Sequence, residues 1–233
     1  NDLNFKRIES NSSPTSNYKF LNYLFTSTEN EGVYIYDLER DSIIDNLKFD
    51  PRNPLSISSS NFSILQNDHI LISSEEDDST LWIGTTNGLN RYNLITGSNK
   101  RFYSDESNKS LPSNFINDIY KDENLLFIGT DNGLALINSS DNSIEELDFF
   151  NNLSVKNIFN VSGNLCFHTP IGIFKLNDLS KNEFIKIYSG NELNLKVINK
   201  NEFVVWNNMS RVDRVFYSND QFKSQLLNDN SSL

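Results

Sequence analysis

Along the chain, short runs of Val, Ile, Phe, Tyr and Leu alternate with Asn, Ser, Asp and Gly, and few stretches carry helical spacing. Alternation with a period of two places every second side chain on one face of a strand, so the pattern predicts many short strands joined by turns. One arrangement recurs: an apolar strand, a polar or Gly-containing turn, and a second apolar strand. It occupies Tyr23–Asp37, Leu81–Asn93, Leu126–Asn138, Leu165–Asn177 and Phe203–Tyr217. The equivalent positions Val33, Leu89, Leu134, Ile173 and Val212 stand 56, 45, 39 and 39 residues apart, which is the spacing of four-stranded propeller blades.

The flanks of these hairpins repeat as well. Before them come His69–Ser79, Ile116–Asn124, Val155–Asn164 and Leu195–Glu202, each a short strand running into an acidic or Asn/Gly turn. After them come Ile43–Asp50, Asn99–Asp105, Ser143–Phe150, Glu183–Ser189 and Gln221–Leu227, whose charged residues suit an edge that must not pair with another chain. In order, these strands are A, the hairpin strands B and C, and the edge strand D. The chain is therefore expected to be all-β, with five units over residues 11–60, 61–110, 111–152, 153–192 and 193–230. Residues 1–10, with Asn4–Ser10 as a strand D, are left over from a preceding blade or close a ring.

The two clearest hairpins, LWIGTTNGLNRYN and LFIGTDNGLALIN, show what the glycines are for. Gly84 and Gly129 stand where a larger side chain would collide with a neighbouring strand or blade. Asn87-Gly88 and Asn132-Gly133 are expected to supply two positive-φ residues to a tight primed turn. A phosphate cradle is disfavoured, because no helix follows and no basic residue accompanies the glycines.

Composition narrows the chemistry. A net charge of −11 disfavours nucleic acid and anionic membrane surfaces, leaving neutral or cationic partners. No apolar run is long enough to span a membrane and no signal peptide is read at the start, so an exported parent would contribute this chain as a processed or excised piece. The single cysteine, Cys166, excludes an internal disulfide and reads as a buried structural thiol.

The catalytic inventory is poor. His69 and His168 lie far apart in sequence, neither in a metal-spaced cluster, and both read first as structural. No GxSxG elbow is present. The run Glu75–Asp78 lacks the ligand spacing and central Gly of a calcium loop and reads as a solvated turn. No cofactor and no metal are expected.

The segment Ile70–Asn138, with LWIGTTNGLNRYNLITG and the connectors SLPSN (Ser110–Asn114) and DPRNPLSISSSN (Asp50–Asn61), closely resembles the two-component regulator propeller repeat. That family builds the extracytoplasmic sensor region of hybrid two-component system histidine kinases. The last two units depart from it, with His168 and Asn207 where Gly84 and Gly129 stand and with no Asn-Gly turn. The resemblance implies a periplasmic or extracellular sensor propeller that detects carbohydrate-derived signals. A seven-bladed ring would need roughly 315 residues at about 45 per blade, so the five units read as part of a longer array able to self-associate as a homodimer or through open ends.

In a propeller the B–C turns and D–A connectors share one face, and loops on a rigid scaffold carry recognition. The ligand-binding candidates on that face are Thr86, Asn87, Asp131, Asn132, His168, Trp206 and Asn207, with Asn208 beside them and Tyr103 as a possible stacking platform. An oligosaccharide is the expected ligand. Trp82 and Trp206 share a strand B pattern that favours burial between blades. The alternatives are a protein-interaction propeller without a small ligand and a polysaccharide lyase or glycosidase propeller. The latter would need carboxylates, or a His/Tyr/Arg set, converging at one mouth.

Overall fold

Alternating sequence becomes strand where a buried face is available, and among the described residues that happens twenty times. The computed structural model describes residues 13–60, 70–73, 80–105, 107, 109–207 and 211–227. His69, Glu75–Asp78, Asn208 and the strand expected at Asn4–Ser10 lie outside the described residues. The chain divides into two compact units, Asn1–Arg101 and Phe102–Leu233.

The first unit holds two four-stranded antiparallel sheets in sequential order. Sheet 1 comprises β1 (Pro14–Phe20), β2 (Tyr23–Thr28), β3 (Val33–Asp37) and β4 (Ser42–Leu47). Sheet 2 comprises β5 (Ile70–Ser73), β6 (Thr80–Thr85), β7 (Gly88–Asn93) and β8 (Asn99–Phe102), its last residue falling at the unit boundary. Phe25, Val33 and Ile35 of sheet 1 pack with Leu81 and Ile83 of sheet 2, sealed by Ile57 from the connector between them.

The second unit holds three such sheets. Sheet 3 comprises β9 (Ile116–Asp122), β10 (Leu125–Thr130), β11 (Gly133–Asn138) and β12 (Ile144–Glu146). Sheet 4 comprises β13 (Asn157–Val161), β14 (Asn164–Thr169), β15 (Gly172–Asp178) and β16 (Glu183–Ser189). Sheet 5 comprises β17 (Asn194–Asn199), β18 (Glu202–Trp206), β19 (Val212–Ser218) and β20 (Gln221–Leu226). Two single 3-10 turns, Asp148–Phe150 and Leu179–Lys181, are the helical elements among the described residues. None is long or apolar enough to cross a membrane.

Sheets 3 and 4 meet over an aromatic stack. Phe150 lies 4.6 Å from Phe184 and 5.5 Å from Phe167, which is 5.9 Å from Phe127. Each fully buried ring contributes about 1.5–3 kcal/mol of transfer free energy. Sheets 4 and 5 meet through Phe159, Val161, Cys166 and Ile173 against Phe203, Val205 and Val215. Burial pushes the Cys166 thiol up to about 12, which leaves it an inert apolar group.

In this architecture each B–C turn and D–A connector lies at the same end of its sheet. Where a strand was expected, its observed boundaries agree within a few residues, and Glu183–Ser189 coincides with β16, whereas β1 has no counterpart among the expected strands. Strand D of sheet 3 is shorter than expected: β12 stops at Glu146, and Asp148–Phe150 turns so that Phe150 can enter the core.

Candidate functional site

A buried threonine at the end of strand B organises four of the five B–C turns. Its hydroxyl donates to the carbonyl of the turn glycine: Thr28 to Gly32 at 3.0 Å, Thr85 to Gly88 at 2.8 Å, Thr130 to Gly133 at 3.0 Å and Thr169 to Gly172 at 2.9 Å. The same oxygen accepts from the backbone N–H of Glu31, Asn87 or Asn132 in three of them. The glycines are required because φ is positive, at +79° for Gly32, +113° for Gly88, +148° for Gly133 and +136° for Gly172. A Cβ at Gly172 would also fall 2.3 Å from the Tyr188 carbonyl oxygen.

This corrects the expected primed turn. Neither Asn87 nor Asn132 has positive φ. The glycine alone takes the left-handed conformation, as the closing residue of a turn whose two central residues are Thr86-Asn87 or Asp131-Asn132.

Neither asparagine is needed for a positive-φ backbone, and Asn87, Asp131 and Asn132 are exposed while Thr86 is half-buried. Asp131 is tied inward, accepting from Asn117 Nδ2 at 3.0 Å. Asn117 itself is buried at a bulge opposite Gly129 and Thr130, which aims its amide at Asp131, Ser154 and the Val155 carbonyl. Tyr103 is partly exposed at the start of the connector that follows β8.

Gly129 and His168 occupy equivalent register positions, opposite Leu134 and Ile173. A Cβ on Gly129 would lie 2.7 Å from the Val155 carbonyl of the connector entering sheet 4. At His168 a whole imidazole is accommodated, 2% exposed, with Nδ1 3.0 Å from Asn157 Oδ1. Burial, reinforced by the Lys156 charge, pushes the ring down to about 4, so it is neutral at ordinary pH. The Leu193 backbone opposes this shift, yet Nε2 makes no hydrogen bond of ordinary geometry; the contact is loose.

Trp82 is fully buried, whereas Trp206 is 37% exposed. Trp206 alternates with the buried Phe203 and Val205 and lies on the other face of β18.

Contrary to expectation, Asn207 does not stand where Gly84 and Gly129 stand: Trp206, opposite Val212, holds that register position, and Asn207 falls at the position of Thr85 and Thr130. In the fifth turn Arg211 stands where the other sheets place glycine, since its carbonyl accepts from Asn207 N–H as that of Gly32 does from Thr28 N–H. Arg211 N–H in turn donates to Asn207 Oδ1 at 3.2 Å. The Arg211 side chain donates through Nε to Asp213 Oδ2 at 2.6 Å. Asp213 is 1% exposed and accepts a second, short hydrogen bond from the Tyr188 hydroxyl of β16.

Burial alone would raise the Asp213 carboxyl, but the bonds from Arg211 and Tyr188 outweigh it and hold the carboxyl below its usual range. Tyr188 is pushed up to about 12 by burial and by its bond to that carboxylate. Around this cluster runs a groove of about 430 Å³ lined by Tyr188, Ser189, Gly190, Leu193, Asn207 and Arg211, with Ile187 and Ser224 at its edge. Of the sequence candidates, Asn207 alone belongs to it. Tyr188, Arg211 and Asp213 were not anticipated. The signal that exposes Arg211 is the repeat itself, in which an arginine replaces the turn glycine once.

Among the described residues, no group of three or more His, Cys, Asp or Glu side chains is placed to hold a metal. No nucleophile–base pair is assembled in the groove, whose tyrosine and carboxylate are bound to each other.

The chain matches no protein-family model and no curated protein. It does resemble solved structures. One is the extracellular domain of a B. thetaiotaomicron protein assigned to the hybrid two-component systems, with TM-score 0.72 and 19% identity over 98% of this chain and 31% of that one. A second such domain from the same organism gives TM-score 0.66 and 19% identity over 100% of this chain and 30% of that one. The β-propeller domain of Cps50 (Swd1) from Myceliophteria thermophila gives TM-score 0.56 and 14% identity over 95% and 72%. This chain thus spans about a third of the length of the two extracellular domains. At these identities the likeness establishes the fold: the five sheets are four-stranded β-propeller blades.

Proposed function

We propose that this chain is part of the extracytoplasmic sensor propeller of a hybrid two-component system, a non-catalytic module that holds or reads a carbohydrate-derived signal. The observation that carries the reading is the match of nearly the whole chain to extracellular domains assigned to such systems. The repeat motifs LWIGTTNGLNRYN and SLPSN support it from sequence. On this reading the module works outside the cytoplasm, and its chemistry is that of a rigid scaffold presenting turns. Asn87, Asp131 and Asn132 supply exposed amide and carboxylate groups, with the half-buried Thr86 beside them, without being needed for positive-φ geometry. A non-catalytic role is supported by the groove, where Asp213 is engaged by Tyr188 and Arg211 and is not free to act as a base.

The test is the output of the full-length parent. Its kinase or transcriptional activity is expected to change with a defined oligosaccharide, and that response is expected to weaken when the turn residues are replaced by alanine. A parent whose output ignores every oligosaccharide, or an isolated chain that cleaves one, would refute the reading.

A further inference from the structure

The groove between the fourth and fifth blades differs from every other turn region described above in presenting an anchored cation. At the turn position where Gly32, Gly88, Gly133 and Gly172 carry no side chain, Arg211 carries a guanidinium. Its Nε edge is fixed to a carboxylate that is itself buried and held by Tyr188. The Arg211 side chain nevertheless remains 61% exposed. An arginine pinned to Asp213 along its Nε–Nη2 edge has given up rotamer freedom before any ligand arrives, and the N–H groups of its outer end form a planar fork that matches a carboxylate.

The surroundings suit such a ligand. Tyr188 and Leu193 form an apolar wall, and Asn207 and Ser189 line the groove with polar groups. Its volume of about 430 Å³ lies in the range of small-molecule sites. The chain as a whole is strongly acidic, but residues 153–227 carry nine Lys and Arg against six Asp and Glu, a local balance of +3. An anion therefore meets less repulsion from these two blades than from the rest of the chain.

We propose that this groove binds a carboxylate-bearing small molecule, with Arg211 as the carboxylate anchor, Asp213 and Tyr188 as the residues that position it, and Leu193 as part of the wall against which the ligand body packs. The proposal deepens the sensory reading and rests on it for its biological meaning, but the binding event is read in the isolated chain and the sensory output in the parent, so either can fail alone. The carboxylate could belong to a sugar acid or to a peptide terminus, and the same anchor serves both.

The experiment is a nuclear magnetic resonance titration of the isotope-labelled chain. The probes are D-galacturonate and N-acetyl-L-alanine at millimolar concentration, with D-galactose and N-acetyl-L-alaninamide as neutral counterparts. The expected result is that one or both carboxylates shift the Arg211 Nε–H signal and the amides of Tyr188 and Leu193, while the neutral counterparts do not. Which acid binds more tightly identifies the source. Arg211→Lys keeps a positive charge beside Asp213 but loses the fork, and is expected to weaken carboxylate binding about tenfold. Unchanged Val205 and Phe203 amides in that variant would show that the blade remains folded. The proposal is overturned if neither carboxylate moves these signals, if the neutral counterparts move them equally, or if the folded Arg211→Lys variant binds as the parent chain does.

Discussion

The second and fifth blades place a buried polar side chain at the same point, two residues past the turn-closing position, and use it in opposite ways. Asn90 in the second blade is fully buried and satisfied by its own unit. It accepts from Ser58 N–H at 2.8 Å and donates to Ser58 Oγ at 2.8 Å and to the Ile83 carbonyl at 3.1 Å. Asp213 in the fifth blade is equally buried, but one of its two donors, Arg211, stands mostly in solvent. A polar group whose partners are all buried serves as internal bracing. When one partner is a surface cation, the same bracing becomes an anchor that holds a charged group toward a ligand. The difference follows from one substitution, arginine for glycine, at a turn.

The largest expected effect is at a turn that needs glycine. Gly172→Ala should cost about 3 kcal/mol, because the new Cβ meets the Tyr188 carbonyl at positive φ; the urea midpoint measures it. A neutral result would show that the turns do not depend on glycine and that Arg211 is unremarkable.

Next comes the pH response of His168, which lines the fourth blade beside the Leu193 connector. Its ring is pushed down from 6.5 to about 4 in the folded chain, so the unfolded chain binds the proton first as pH falls. Stability is therefore full above pH 6.5 and is lost as pH falls toward 4, by up to about 3 kcal/mol. His168→Gln should flatten that slope in denaturation curves measured across the window.

Asn90→Ala should cost about 2 kcal/mol, since it strands the Ser58 and Ile83 groups in the interior. Arg211→Ala should cost less than Asn90→Ala at neutral pH, because water can reach the gap left by a mostly exposed side chain. The Asp213 carboxyl is held below its ordinary value, so its contribution is present above that value and lost as pH falls through the folded one. The gap between Arg211→Ala and the parent should therefore close in acid, whereas the cost of Asn90→Ala should persist there. Equal acid behaviour of the two would break the comparison. The smallest effect belongs to Asn87→Ala and Asn132→Ala, each within about 0.5 kcal/mol, because neither side chain carries the turn conformation.

Much of the blade structure was legible in sequence because the strands are short runs of apolar and β-branched residues punctuated by Gly, Asn or Asp. The glycines were read correctly as architectural and incorrectly in detail. Asn-Gly suggests two left-handed residues, but the threonine before the turn fixes its geometry through the glycine carbonyl, and the asparagine keeps an ordinary backbone. Nor does the strand pattern reveal whether another sheet covers the outer face of Trp206. Tyr188 and Asp213 lie on different blades and far apart in sequence. Their meeting depends on how sheet 5 packs against sheet 4, through Phe203 and Val205 on Cys166 and Ile173, and nothing in the spacing predicts it.

By itself, then, the sequence determined the strands, their number per unit and the positions of the turns, because these follow from local alternation and from which residues tolerate a tight reversal. Only the tertiary structure decided which polar side chains are bracing and which are presented. That choice rests on which partners the packing of one blade on the next brings within hydrogen-bond reach, and on which of them it leaves in water.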